Sequence, residues 1–262
     1  MLLENKVIVV TGGSAGLGEQ ICYEAARRGA IVVICARRSQ LINKVKDHCM
    51  TLSGKPAYAF QLDIADPESV ENVIASIREK VGKVDILVNN AGFGIFQEFT
   101  EMKPETIRNM FEVNVLGMMV LTQQIALEMV DQRSGHIINV ASMAGKIATP
   151  KTAVYSATKF AVLGFSNALR LELKPFGIHV TTVNPGPIET AFFDQADPSG
   201  NYLASLGTFV LEPTKLAKTI VKAMIHPKRE INRPQVMGVA AKFYTLFPAI
   251  GDYLAGSLFN KK

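Results

Sequence analysis

Val7-Ile8-Val9-Val10-Thr11-Gly12-Gly13-Ser14-Ala15-Gly16-Leu17-Gly18 is the stretch on which the reading of the fold turns. Residues 7–10 are all β-branched and apolar, with no polar alternation. Such a run is a strand buried on both faces, as in a parallel sheet covered by helices. Residues 17–28 follow with helical character and stop at Gly29. Between them Gly12, Gly16 and Gly18 form a Gly-x-x-x-Gly-x-Gly turn. Backbone without Cβ lets an anion approach closely, and the start of a helix presents unpaired N–H groups with a partial positive charge. A glycine-rich turn alone marks any tight bend. Placed directly after a strand and directly before a helix, it marks a dinucleotide site.

The same alternation continues along the chain. Residues 31–35, 57–62, 86–88, 137–140 and 178–183 read as strands, and helices are expected from 36 to about 52 and over 67–80, 104–130, 152–174 and 214–225. Asp66 followed by Pro67 is a helix start, with an N-cap acceptor and a proline at the first helical position. Strands separated by helices form βαβ units. The expected class is therefore α/β: a Rossmann-type, doubly wound parallel sheet of about seven strands with helices on both faces. No linker or repeat interrupts the 262 residues, so 1–262 is expected to be one domain. Residues 191–211 are irregular and read as a substrate-side loop, while 236–262 read as an apolar C-terminal extension.

Composition narrows the classes. Hydrophobic residues make up 48% and charged residues 19%, which describes a globular chain rather than a disordered one. The net charge of +5 allows an anionic partner, but the basic residues are dispersed and no aromatic-basic motif for nucleic acid appears, so none is expected. Cys22, Cys35 and Cys49 have no metal-ligand spacing and cannot all pair, so no metal site and a reducing compartment are expected. The opening MLLENKVIVV lacks the basic start and apolar length of a signal peptide, and no apolar run reaches the ~20 residues of a membrane span. A cytoplasmic location follows as the expectation.

The end of the second strand discriminates between dinucleotides. A site for NAD usually places Asp or Glu there to bond the ribose 2′-hydroxyl. This chain has Cys35-Ala36-Arg37-Arg38, and two guanidiniums suit a 2′-phosphate, which arginine can bind bidentately. The expected cofactor is NADP(H).

Chemistry is suggested by Tyr155-Ser156-Ala157-Thr158-Lys159 on the helix over 152–174. Positions i and i+4 share a helix face, so phenol and ammonium are neighbours. A free phenol ionises near 10, and an adjacent cation favours the phenolate, moving it toward the range useful for proton transfer. Ser142 follows the preceding strand at the C-terminal edge of the sheet, where open α/β folds bind ligands.

Taken together, these residues resemble the short-chain dehydrogenase/reductase (SDR) family, in its NADP-preferring type. The resemblance runs from Thr11 to about Thr190 and rests on the glycine turn, Asp63, Asn89-Asn90-Ala91-Gly92, Asn114, Ser142, Tyr155 with Lys159, and Pro185-Gly186. It implies an oxidoreductase in which Tyr155 exchanges a proton with the substrate oxygen and Ser142 bonds that oxygen. Lys159 would contact the nicotinamide ribose and tune Tyr155, and Asn114 would place a water in a proton relay. The resemblance further implies that Gly12, Ser14, Gly16, Leu17 and Gly18 line the pyrophosphate side. Asp63 and Ile64 would meet the adenine, and Asn90, Ala91 and Gly92 the adenine ribose. Pro185, Gly186, Ile188 and Thr190 would flank the nicotinamide. A homodimer or homotetramer is common in such proteins. The last strand on which many relatives end is not evident here.

Substrate contacts are expected from Phe93, Met143, Phe192 and Phe193 together with Ser142, and further from Ile95, Ile147, Tyr202 and Phe209. Their apolar character favours a hydrophobic carbonyl or secondary alcohol. The apolar tail is a candidate for covering the cleft, packing on a second subunit, or peripheral membrane contact. Two other readings use the same fold: a non-catalytic dinucleotide-binding regulator and a membrane-surface protein.

Overall fold

Seven short runs pair side by side into one sheet. They are β1 (Val7–Thr11), β2 (Ile31–Ala36), β3 (Ala57–Gln61), β4 (Ile86–Asn89), β5 (Gly135–Val140), β6 (Ile178–Pro185) and β7 (Glu230–Arg233). The computed structural model describes residues 3–197 and 210–258. The strand order is β3-β2-β1-β4-β5-β6-β7, with every pairing parallel.

Alternation along β1 divides the core. Ile8 and Val10 pack with α1 (Gly16–Arg27), α2 (Ser39–Ser53) and the helix Pro213–Ile225 on one face. Val7 and Val9 pack with α3 (Pro67–Lys80) and the helix Gly117–Gln132 on the other. Successive side chains of a strand point to opposite faces, so a strand apolar at every position needs helices on both. Each fully buried Ile or Leu contributes roughly 1.5–3 kcal/mol relative to an exposed one. Asp66 caps α3 as expected: its carboxylate accepts from Glu68 N at 3.1 Å, with Pro67 first in the helix.

Three expectations need correction. The helix expected over 104–130 is α4 (Pro104–Phe111), a π-turn (Glu112–Leu116) and α5 (Gly117–Gln132). Pro104–Gln132 as a whole is long and apolar enough to cross a bilayer by length and composition, yet α5 packs against α3 and β5 inside this fold. The strand absent from the sequence reading exists: β7 pairs with β6 through Thr182–Glu230 and Asn184–Asn232. Its residues Glu230, Asn232 and Arg233 carry no strand signature, and pairing rather than propensity makes it a strand. Finally, the irregular 191–211 segment contains a short helix, α7 (Phe192–Ala196), and Leu211 bridges Ile188. Tyr202 and Phe209 lie outside the described residues.

The remaining helices are α6 (Ala153–Leu173), α8 (Pro213–Ile225), α9 (Gln235–Leu246) and α10 (Pro248–Leu258). The order reverses between β1 and β4, and a cavity of about 490 Å³ opens at the C-terminal ends of the strands there. This is the edge where open α/β sheets bind ligands.

Candidate active site

The glycine turn forms one wall of this cavity. Gly12 has φ +65, and a Cβ on it would lie 2.9 Å from Ala91 Cα. A Cβ on Gly18 would lie 2.3 Å from Gly12 O, so only glycine lets α1 begin this close to β1. Thr11 Oγ1 accepts from Asn90 N and Ala91 N at 3.0 Å each, and Asn90 Nδ2 donates to the carbonyls of Thr11 and Gly12. The loop after β4 thus fastens the turn, and the Asn90 amide works as a brace as well as lining the cavity.

Charge at this wall is positive. Ala15, the N-cap of α1, provides no side-chain cap. The first N–H groups of that helix face an anion site without a competing acceptor from the cap residue. Arg37 and Arg38 are exposed at the same rim, and Arg38 Nη2 donates to Ser14 Oγ at 2.9 Å. Across the opening, Asp63 accepts from Ala65 N at 3.1 Å, which fixes the turn carrying Ile64.

The opposite wall holds the reactive groups. Tyr155 and Lys159 lie one turn apart on α6, and Lys159 Nζ sits 5.7 Å from the Tyr155 ring centroid. Lys159 Nζ donates to Val140 O at 3.0 Å, its one acceptor among the described residues. An ammonium has three N–H bonds, so two remain for a ligand. Burial pushes Lys159 down to about 8 from the usual 10.5. Ser142 adopts extended backbone after β5. Its Oγ accepts from Ala144 N at 3.0 Å, and its hydroxyl points to Pro185 O at 3.4 Å.

A pH dependence of stability follows from Lys159. The unfolded chain holds this proton more tightly than the folded chain does. Below about 8 both forms are protonated and the burial cost is constant. Between about 8 and 10.5 the folded form has lost a proton that the unfolded form keeps, so stability from this group rises with pH. Urea unfolding across that range is expected to show the wild type gaining on Lys159→Met by on the order of 3 kcal/mol. A constant difference would contradict a neutralised, buried amine.

Asn114 does not line the cavity. It stands behind the wall in the π-turn, where Phe93 N donates to its Oδ1 at 3.0 Å. Its Nδ2 donates to Phe93 O at 2.8 Å and to Thr158 Oγ1 at 3.2 Å. A single π-turn displaces the residues it carries relative to a regular helix, and such turns concentrate at functional sites. Gly18 also stays behind the surface. The other predicted contacts line one cavity: Gly12, Ser14, Gly16, Leu17, Arg37, Arg38, Asp63, Ile64, Asn90, Ala91, Gly92, Phe93, Ser142, Met143, Tyr155, Lys159, Pro185, Gly186, Ile188, Thr190, Phe192 and Phe193. Ile147 joins them. Ile95 instead packs against the Tyr155 cluster.

Phe96 and Met237 are among the lining residues that the sequence reading does not single out. Phe96 lies 5.8 Å from the Tyr155 ring and 6.1 Å from Phe193, while Phe192 lies 5.7 Å from Tyr155. The Phe96 backbone is held by Ala196 O at 2.9 Å, a contact a hundred positions away that no local pattern announces. Met237, on α9, also reaches the cavity. The apolar tail that carries it is a candidate for covering the cleft, but Met237 itself is not singled out by the sequence.

A profile of the family described as short chain dehydrogenase matches residues 6–200. The chain belongs to the short-chain dehydrogenase family. It is an oxidoreductase on that ground, and the Tyr155–Lys159 wall and the glycine turn line one cavity. Among related proteins, a 3-dehydrosphinganine reductase of Danio rerio is 35% identical over 222 residues, covering 82% of this chain and 67% of that protein. A dehydrogenase/reductase SDR family protein 7-like of Drosophila melanogaster is 32% identical over 236 residues, covering 87% and 72%. A short-chain dehydrogenase from Sphingobium yanoikuyae, solved in complex with NADPH, superposes with a TM-score of 0.81 at 27% identity, covering 94% of this chain and 93% of that one.

Proposed function

We propose that this protein is an NADP(H)-dependent oxidoreductase acting on a hydrophobic carbonyl or secondary alcohol. The observation that carries this reading is the meeting, in one cavity, of a glycine-turn helix start with Arg37 and Arg38 at one end and Ser142, Tyr155 and Lys159 at the other. These residues fit a dinucleotide: an uncapped helix N-terminus and two exposed guanidiniums for phosphates, and a buried ammonium with two unengaged hydrogens. The NADPH complex of the Sphingobium relative supports the choice of cofactor.

Bound in this way, the nicotinamide would supply or take up the hydride. The chain does the rest. Ser142 Oγ orients the substrate oxygen, and the Tyr155 phenol gives that oxygen a proton in reduction or removes one in oxidation. Lys159 keeps positive charge beside the phenol, which favours its ionised form. Asn114 braces Phe93 and Thr158, and so holds the wall on which Tyr155 and Lys159 sit. Phe96 and Phe192 pack beside Tyr155, and Phe193 packs on both of their rings; this apolar surface favours a hydrophobic substrate over a sugar. The Danio rerio relative is named a reductase, which supports carbonyl reduction as one direction of this exchange.

The cofactor choice is tested at Arg37 and Arg38. Alanine at either position is expected to weaken NADPH binding by roughly tenfold or more, through loss of a charge-assisted contact to the 2′-phosphate. NADH binding should be little altered. Titration of the cofactor's fluorescence measures both, and an equal loss for the two cofactors would refute 2′-phosphate recognition. The substrate class is tested by NADPH oxidation over a panel of ketones graded in chain length.

A further inference from the structure

In a surface helix of a globular domain the apolar stripe faces the core. In α9 the sorting is reversed. Val236, Val239, Phe243, Leu246 and the following Phe247 fall within about a third of the circumference at 3.6 residues per turn. All of them are exposed, Leu246 by 72%. The face turned to the protein is made of small or slim residues: buried Ala241, Gly238 against Asn232, and Met237 at the cavity. Helix α10 repeats the arrangement, with Ile250 and Tyr253 exposed and Gly251 packed under the Tyr244 ring. Tyr244 OH donates to Asp252 at 2.7 Å and ties the two helices together.

The charges select what covers this face. Asp252 is the sole carboxylate side chain between 235 and 262, and it is engaged by Tyr244. Lys242 is exposed at the border of the stripe. Lys228 and Arg229 precede the segment, and Lys261 and Lys262 follow it in sequence. Cations beside an apolar stripe complement anionic headgroups, because lysine stems lie along the apolar surface while the ammonium reaches the headgroup level. A second copy of the same face would bring further cations and no carboxylate side chain other than the Tyr244-bonded Asp252.

We propose that α9 and α10 lie on an anionic lipid bilayer and hold the mouth of the substrate cavity at that surface. Met237 lines the cavity from the inner side of the helix whose outer side carries the stripe, with its Sδ 2.9 Å from a Cβ position on Gly186. An apolar substrate dissolved in the bilayer therefore meets the wall of the site without crossing bulk water. That last step rests on the carbonyl-reductase reading; the bilayer contact does not.

Flotation of the full chain with vesicles tests the contact. Binding to phosphatidylcholine mixed with phosphatidylserine is expected to be roughly tenfold tighter than to phosphatidylcholine alone. Leu246→Ser combined with Phe247→Ser is expected to weaken binding to the mixed vesicles by roughly tenfold or more. NADPH affinity and oligomer size should not change. Lys242→Glu should lower binding to the mixed vesicles and leave the neutral ones unaffected. No binding of the wild type to either vesicle overturns the proposal. So does unchanged binding by the double variant, or dissociation of a wild-type oligomer by those same substitutions, which would assign the face to a second copy. Vesicle binding by Tyr155→Phe is expected to match the wild type, so the contact and the catalytic reading fail separately.

Discussion

Tyr155→Phe is expected to lower kcat for carbonyl reduction by roughly 10²–10⁴-fold while NADPH affinity stays within about twofold of the wild type. The size of the loss is that of removing a positioned general acid. The selectivity of the change comes from the surroundings. Tyr155 is 8% exposed, and its side chain packs with Met102, Met110 and Val154, and with the rings of Phe96 and Phe192. Phenylalanine keeps that ring and its contacts and removes one hydroxyl. A folding defect would appear as lost NADPH binding or a lowered melting temperature, and neither is expected. NADPH oxidation with a ketone, beside a cofactor titration, separates the outcomes. Turnover near the wild-type rate would exclude Tyr155 as the acid, and absence of turnover in the wild type over the whole ketone panel would favour the non-catalytic regulator.

Gly117→Ala is expected to destabilise the fold by more than about 3 kcal/mol, beyond the ordinary range for overpacking. Gly117 opens α5 where the helix leaves the π-turn, and a Cβ there would stand 1.9 Å from Ile64 O. The obstacle is a backbone carbonyl that cannot rotate away, and it belongs to the turn after β3 that lines the cavity. Either α5 moves outward, taking Asn114 off the Phe93 backbone, or the Asp63–Ile64 turn moves into the cavity. Both weaken cofactor binding. A fall in melting temperature of roughly 6 °C or more is the expected readout. A variant as stable as the wild type would show that α5 does not need this close approach.

These two positions differ in how they could be found. Tyr155 was legible because helix geometry places i and i+4 together, so five residues of sequence carry the pair. Gly117 was not, because its neighbour Ile64 lies far away in the chain and no periodicity links them. The same division runs through the site. The glycine turn, Arg37 with Arg38, and Ser142 were read from their place at strand ends. Phe96 and Met237 were missed because each reaches the cavity through contacts with distant segments. Asn114 was read as a site residue through family resemblance, whereas the π-turn that carries it appears only in the folded chain.

The sequence by itself determined the layers of this protein. Unbroken β-branched strands require helices on both faces, and glycine spacing and caps locate the helix starts; these are local preferences written within a few residues. Only the tertiary structure decided how far the sheet extends and what closes the site. Strand β7 is a polar run that becomes a strand by pairing with β6, and the helices after it turn small residues inward and large apolar ones outward. The direction in which a helix face points depends on what it packs against, and composition does not encode that.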